Sequence, residues 1–312
     1  MYSRISSIPA PLRFAAGLAV FGAGLCFSQA PPSKAVASPA RHRAAEPYFL
    51  RRSVSEIQEK AVDIGTSTAH YKPMFGAGDS DSRIVKGVAR YGQLTVDPAG
   101  SSETVSYPDE EQIYFILEGT GLVQYGDQKV PVKKNDFLYL PVNVRHGVSN
   151  PSKAPCQLMI MGYRIPKDVQ IVPTPKLLMA NADDVEVVPT HGPGTKFKLL
   201  VGDTLSKRDK LAAGQVMTSL FLMEFDAGID NFPHHHEAEE EIYFILRGRG
   251  EMATGAGPTG EEGRYPVKAG DAYFYRANAT VGFYRSQDAE NPTILTIRSR
   301  YPFTKIEGAW SR

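Results

Sequence analysis

The chain has 312 residues, of which 42% are hydrophobic and 22% charged, and its 35 basic and 34 acidic side chains leave a formal net charge of +1. That length holds two domains of ordinary size, each with a buried core. The near-neutral balance leaves no electrostatic footprint for nucleic acid, and without a P-loop or a G-x-G-x-x-G fingerprint no nucleotide cofactor is expected.

From the N-terminus, Arg4 and Arg13 give a basic start, and Phe14 to Phe27 is an unbroken apolar run. Such a run is short for a bilayer span and fits the apolar region of an export signal. Ala35 and Ala37 form an A-x-A-like cleavage site, preferred over one after Ala30 because Pro31 follows it. Residues 1–37 are therefore expected to be a signal peptide, giving a periplasmic or secreted mature chain with no stable membrane span. The alternative is an uncleaved anchor; Ala23-Gly24-Leu25 before Cys26 makes a poor lipoprotein box. After cleavage only Cys156 of the two cysteines remains, so no intrachain disulfide can form. The mature chain then relies on its core, and a homo-oligomer is open to it. Residues 38–59 begin with Ala, Pro, Ser and Arg in no period and read as a flexible leader.

The rest contains one pattern twice. Gln112-Ile113-Tyr114-Phe115-Ile116-Leu117-Glu118-Gly119 aligns position for position with Glu241-Ile242-Tyr243-Phe244-Ile245-Leu246-Arg247-Gly248. Further on, VPVKKND ending at Asp136 aligns with YPVKAGD ending at Asp271, and Asn143 and Asn278 keep that second, slightly longer offset. The extra residues fall in a Gly-rich stretch, Thr254 to Gly263. The repeats place domains at 60–173 and 185–312, joined by 174–184, a segment expected to form a short helix. With 28 Gly and 23 Pro marking frequent turns between β-branched and aromatic segments, the fold class is all-β.

The most informative stretch lies in the second copy, Gly228 to Gly248. His234 and His236 stand two apart, so a strand would aim both imidazoles at one face and turn His235 away. A turn through Glu237 to Glu240 would return the chain so that Glu241 opens the strand IYFIL beside them. Two imidazoles and a carboxylate on a β scaffold suit one divalent transition metal: Mn, Fe, Ni, Cu or Zn. The bland alternative is a solvated acidic, histidine-rich loop.

Gly228, His234, His236, Glu241 and Gly248 match the first cupin motif, and the chain after its leader resembles a bicupin. The resemblance implies two tandem cupin-type double-stranded β-helix (jelly-roll) barrels and a metal inside the second. In the second cupin motif, Gly270 to Arg285 here, Val281 stands where the family has a fourth-ligand His. The first copy departs the other way: Val105, Tyr107 and Gln112 occupy the ligand positions, while Asn135, Pro141, Asn143, His146 and Asn150 keep the second motif. The first barrel is accordingly expected to hold no tightly bound metal and to serve as structure, dimerisation surface or gate, with His146 a hydrogen-bonded interior residue.

Three protein ligands leave coordination positions open, which suits non-haem iron chemistry with dioxygen or a Lewis-acid ion. Alternation of faces puts Tyr243 beside Glu241, and Phe283 and Arg285 beyond Val281, as candidate substrate-pocket residues. The expected function is a metal-dependent oxidoreductase of dioxygenase or oxidase type acting on a small organic molecule. A non-catalytic metal- or carbohydrate-binding protein and a metal-dependent isomerase or lyase remain alternatives.

Overall fold

The computed structural model describes residues 47–167, 169, 171, 173–189, 194–257, 260–287 and 290–302. The expected signal peptide, and the leader up to residue 46, lie outside the described residues. No helix among the described residues is long and apolar enough to cross a membrane. The molecule is nearly all β, as the sequence leads one to expect. Each repeat makes two facing sheets: a six-stranded and a three-stranded sheet in the first barrel, an eight-stranded and a four-stranded sheet in the second.

The duplicated IYFIL segments are unbroken apolar runs because both their faces are buried. Ile242 and Phe244 belong with Ile113 and Phe115 to one cluster that joins the two barrels. Tyr114 and Ile116 point instead into the first barrel, and Tyr243 and Ile245 into the second. Both runs end at a glycine with positive φ, 79° at Gly119 and 78° at Gly248, where a Cβ would lie 2.3 Å from Pro155 O and 2.7 Å from Pro292 Cα. Only glycine fits that close approach.

Two segments read as connections are strands. Phe49–Ser53, placed in the flexible leader, pairs antiparallel with Asp271–Tyr275 of the second barrel. Leu178–Asn181, placed in the helical connector, pairs with Asp136–Leu140 of the first barrel; helix is limited to one 3-10 turn, Ala182–Asp184, capped by the Asn181 side chain. The segment preceding each barrel is thus laid on the other barrel. Short segments such as FLRRS carry no periodicity that would reveal this, since their partners are far along the chain.

Two glutamates bind the barrels reciprocally. Glu111 accepts hydrogen bonds from the backbone amides of Gln215, Val216 and Met217 at 2.8–2.9 Å and from Tyr139 Oη at 2.8 Å. Glu240, its counterpart in the second repeat, accepts from the amides of Lys86 and Gly87 at 3.0 and 2.8 Å. Each carboxylate is buried, and each satisfies strand-end amides of the opposite barrel that would otherwise be left unpaired.

Candidate metal centre

The centre is built where the strand Asn231–His235 meets the strand Glu239–Arg247. The turn between them covers only His236 to Ala238, shorter than the sequence implies, because Glu239 and Glu240 already lie in the strand. His234, His236 and Glu241 offer ligand atoms that all lie within 4.8 Å of one another. His235 is not in that cluster. The His234 Nδ1 is 2.9 Å from Phe232 O. A carbonyl only accepts, so that nitrogen carries the proton and Nε2 keeps its lone pair for a ligand bond.

His236 Nε2 lies 3.5 Å from Glu241 Oε2. Its Nδ1 lies 3.7 Å from Glu239 Oε2 and 3.4 Å from the Arg298 guanidinium. Arg298 sits directly across the sheet from Glu241, and reaches Glu239 at 3.5 Å and Glu241 at 3.8 Å. Burial pushes the Glu241 carboxyl up to about 8, with Arg298 opposing the rise. Its Oε2 is buried without a hydrogen-bond partner. A divalent ion fits this orphaned oxygen: ligand bonds of about 2.0–2.2 Å need only a small inward adjustment of donors already this close.

Val281 stands opposite His234 on the neighbouring strand and is 1% exposed. Its counterpart His146 bridges to Val105 in the same way, so the two barrels superpose ligand position on ligand position. There the site is closed by protein. His146 Nδ1 bonds Val144 O at 2.8 Å, and its Nε2 lies 3.1 Å from Gln112 Oε1. Gln112 in turn donates to Glu110 at 2.5 Å, and Arg90 ties Glu110 to Asp63. The Arg90 guanidinium lies over the Tyr107 ring, 4.0 Å from its centroid. Burial pushes the His146 imidazole down to about 4, so it is neutral and carries one proton, directed to Val144 O or to Gln112 Oε1.

A cavity of about 300 Å³ opens beside the second-barrel triad. Tyr243 lines it, with Asn231 donating to its hydroxyl at 3.0 Å. Phe283 and Arg285 do not. The Phe283 ring is fully buried, 5.2 Å from Phe225 and opposite Met252, where it fills the barrel interior. Arg285 is turned to Asn291 at 3.0 Å, near the opposite end of its strand. Counting alternate faces puts these residues on the inner side but says nothing of which side chains reach the cavity.

Sequence reasoning passed over Glu239 and Arg298. Glu239 had a signal, since Glu110 holds the same place in the first repeat and also pairs with an arginine. The arginines had none: Arg90 sits opposite Gly162, whereas Arg298 sits opposite Ser219, so the cation changes strands between copies.

Comparison with known proteins agrees with this architecture. Residues 92–162 and 221–296 each match the family model described as a cupin domain. An uncharacterized protein of Methanocaldococcus jannaschii is 33% identical over 81 residues, 26% of this chain; the chain spans 65% of that relative's length. Among solved structures, a putative glyoxylate-induced protein from Pseudomonas aeruginosa is similar with a TM-score of 0.66 and 14% identity, covering 84% of this chain and 91% of that one. The Ylba protein from E. coli gives 0.60 at 15% identity, covering 80% and 90%. A variant of the Bacillus subtilis oxalate decarboxylase, an enzyme with Mn(II) centres, gives 0.60 at 12% identity, covering 80% and 76%.

Proposed function

We propose that this chain, a two-domain cupin, is an exported metal-dependent oxidoreductase that holds one divalent transition-metal ion on His234, His236 and Glu241 and acts on a small organic molecule. The observation that carries the reading is the buried, unpartnered Glu241 Oε2 between two imidazoles at the edge of a cavity. When bound, an ion with two nitrogen and one oxygen protein ligands supplies open coordination positions for dioxygen or substrate.

The chain's own residues set the conditions for that chemistry. Phe232 O faces the Nδ1 of His234, and Arg298 with Glu239 behind it faces the Nδ1 of His236, leaving each Nε2 on the side of the centre. Arg298 balances the charge of Glu239 and Glu241. Tyr243 and Asn231 present a hydroxyl and an amide in the cavity for orienting a ligand. Val281 keeps the face opposite His234 free of a fourth imidazole.

Elemental analysis of protein purified without a His tag tests the reading. One Mn, Fe, Ni, Cu or Zn per chain is expected, lost in His236→Ala, and oxygen uptake on addition of substrate identifies the oxidoreductase. Substrate conversion without oxygen would identify a metal-dependent lyase or isomerase instead, the reading that the likeness to oxalate decarboxylase favours. Export rests on the basic start, the short apolar run and the site at Ala37. Mass spectrometry of the mature chain should find its first residue near position 38.

A further inference from the structure

The cavity beside the triad has a wall that an ion does not use. Phe197, Leu199, Phe221 and Met223 line it from two adjacent strands, Thr195–Asp203 and Met217–Phe225. In the register of that pair Phe197 lies opposite Met223 and Leu199 opposite Phe221. The four side chains therefore form one apolar tile, with the Phe197 and Phe221 rings 5.6 Å apart. At about 300 Å³ the cavity has roughly twice the room of an engineered cavity of about 150 Å³ that admits benzene.

The cavity wall also carries an exposed cation. Arg208, exposed on the loop after the strand Thr195–Asp203, lines the cavity. Its guanidinium makes no hydrogen bond or ion pair among the described residues. The adjacent Asp209 carboxylate is turned to the Ser206 hydroxyl instead. Arg298, the other cation, is already held by Glu239 and lies 5.1 Å from the Phe221 ring centroid. Two guanidiniums face the carboxylates of Glu239, Glu241 and Asp209, the last attracted by both arginines, and a divalent ion turns that surplus of one negative charge into a surplus of one positive charge.

We infer that the ligand of this site is an organic monocarboxylate with an apolar, ring-sized body, its charge drawn toward Arg208 and the metal and its body packed on the Phe197–Leu199–Phe221–Met223 tile. This assignment rests on the metal reading above and deepens it. A small dianion such as oxalate would satisfy the charge but leave the tile uncovered, and an apolar alcohol would do the reverse.

Calorimetric titration of the Zn(II)-loaded protein, with metal content measured on the same sample, tests the assignment with phenylacetate, 2-phenylethanol and oxalate as probes. Phenylacetate should bind about tenfold tighter than either of the others. Arg208→Gln, a change on an exposed loop that leaves the barrel intact, should weaken phenylacetate by about the same factor and leave 2-phenylethanol unchanged. Oxalate binding as tightly as phenylacetate, or phenylacetate binding unchanged in Arg208→Gln, would overturn the assignment. A sample that loads no ion would instead overturn the metal reading. The carboxylate preference is then scored on metal-free protein, where Arg208 still provides it and Arg208→Gln must still remove it.

Discussion

Glu241 is buried in a way that adds nothing to the stability of the metal-free fold. It is 3% exposed and leaves one oxygen without a partner, an arrangement that costs free energy until a cation arrives. Substituting Ala for His234, His236 or Glu241 should therefore reduce bound metal to background in elemental analysis, while His235→Ala should leave it at one per chain. His146→Ala should also leave metal content unchanged, because that imidazole is engaged with Val144 and Gln112 in the other barrel. Glu239→Gln keeps the shape but removes the charge that holds Arg298 beside His236 Nδ1, and metal affinity should fall by about 10–100-fold in chelator competition. Val281→His restores a fourth donor opposite His234. It should tighten metal binding in the same assay, while the larger ring in a packed interior lowers the metal-free protein's stability by about 1–3 kcal/mol.

At the scale of elements, the barrels are held by features whose cost is visible only once they are paired. Burial pushes the Glu240 carboxyl up to about 7, although the amides of Lys86, Gly87 and Val88 favour its charged form. A folded value above the ordinary one, about 4.3, means that the native protein binds this proton more tightly than the unfolded chain. The corresponding stability is full below about pH 4 and is lost as pH rises through about 7. Glu111 is raised by burial in the same sense. Relative to Glu240→Gln, the wild type should lose on the order of 3 kcal/mol between pH 4.5 and 8, read by urea denaturation at both values. The site elements were legible because their signals are local: the His-x-His spacing, the glycine ends and the repeated IYFIL all sit within short stretches of chain. What was not legible depends on pairing across the sequence. Phe49 meets Tyr275 across most of the chain's length, Glu240 meets Lys86, and Arg298 reaches Glu241 only through strand register.

For the whole molecule, the cluster that includes Leu50, Phe75, Phe115, Phe244 and Phe274 is shared between the barrels, so neither repeat owns a complete exterior. The two should unfold in a single calorimetric transition, and a chain beginning at residue 185 should fail to fold stably, since it lacks both the strand Phe49–Ser53 and the Lys86–Val88 segment. The reciprocal laying of strands also has a historical meaning. Two identical copies of one repeat, each lending its leading strand to its mate, would make a symmetric pair, and fusing the copies end to end would give this chain. In such a chain either half could lose its imidazoles without touching the shared cluster, but neither could be deleted. Each barrel is thus part of the surface on which the other is finished.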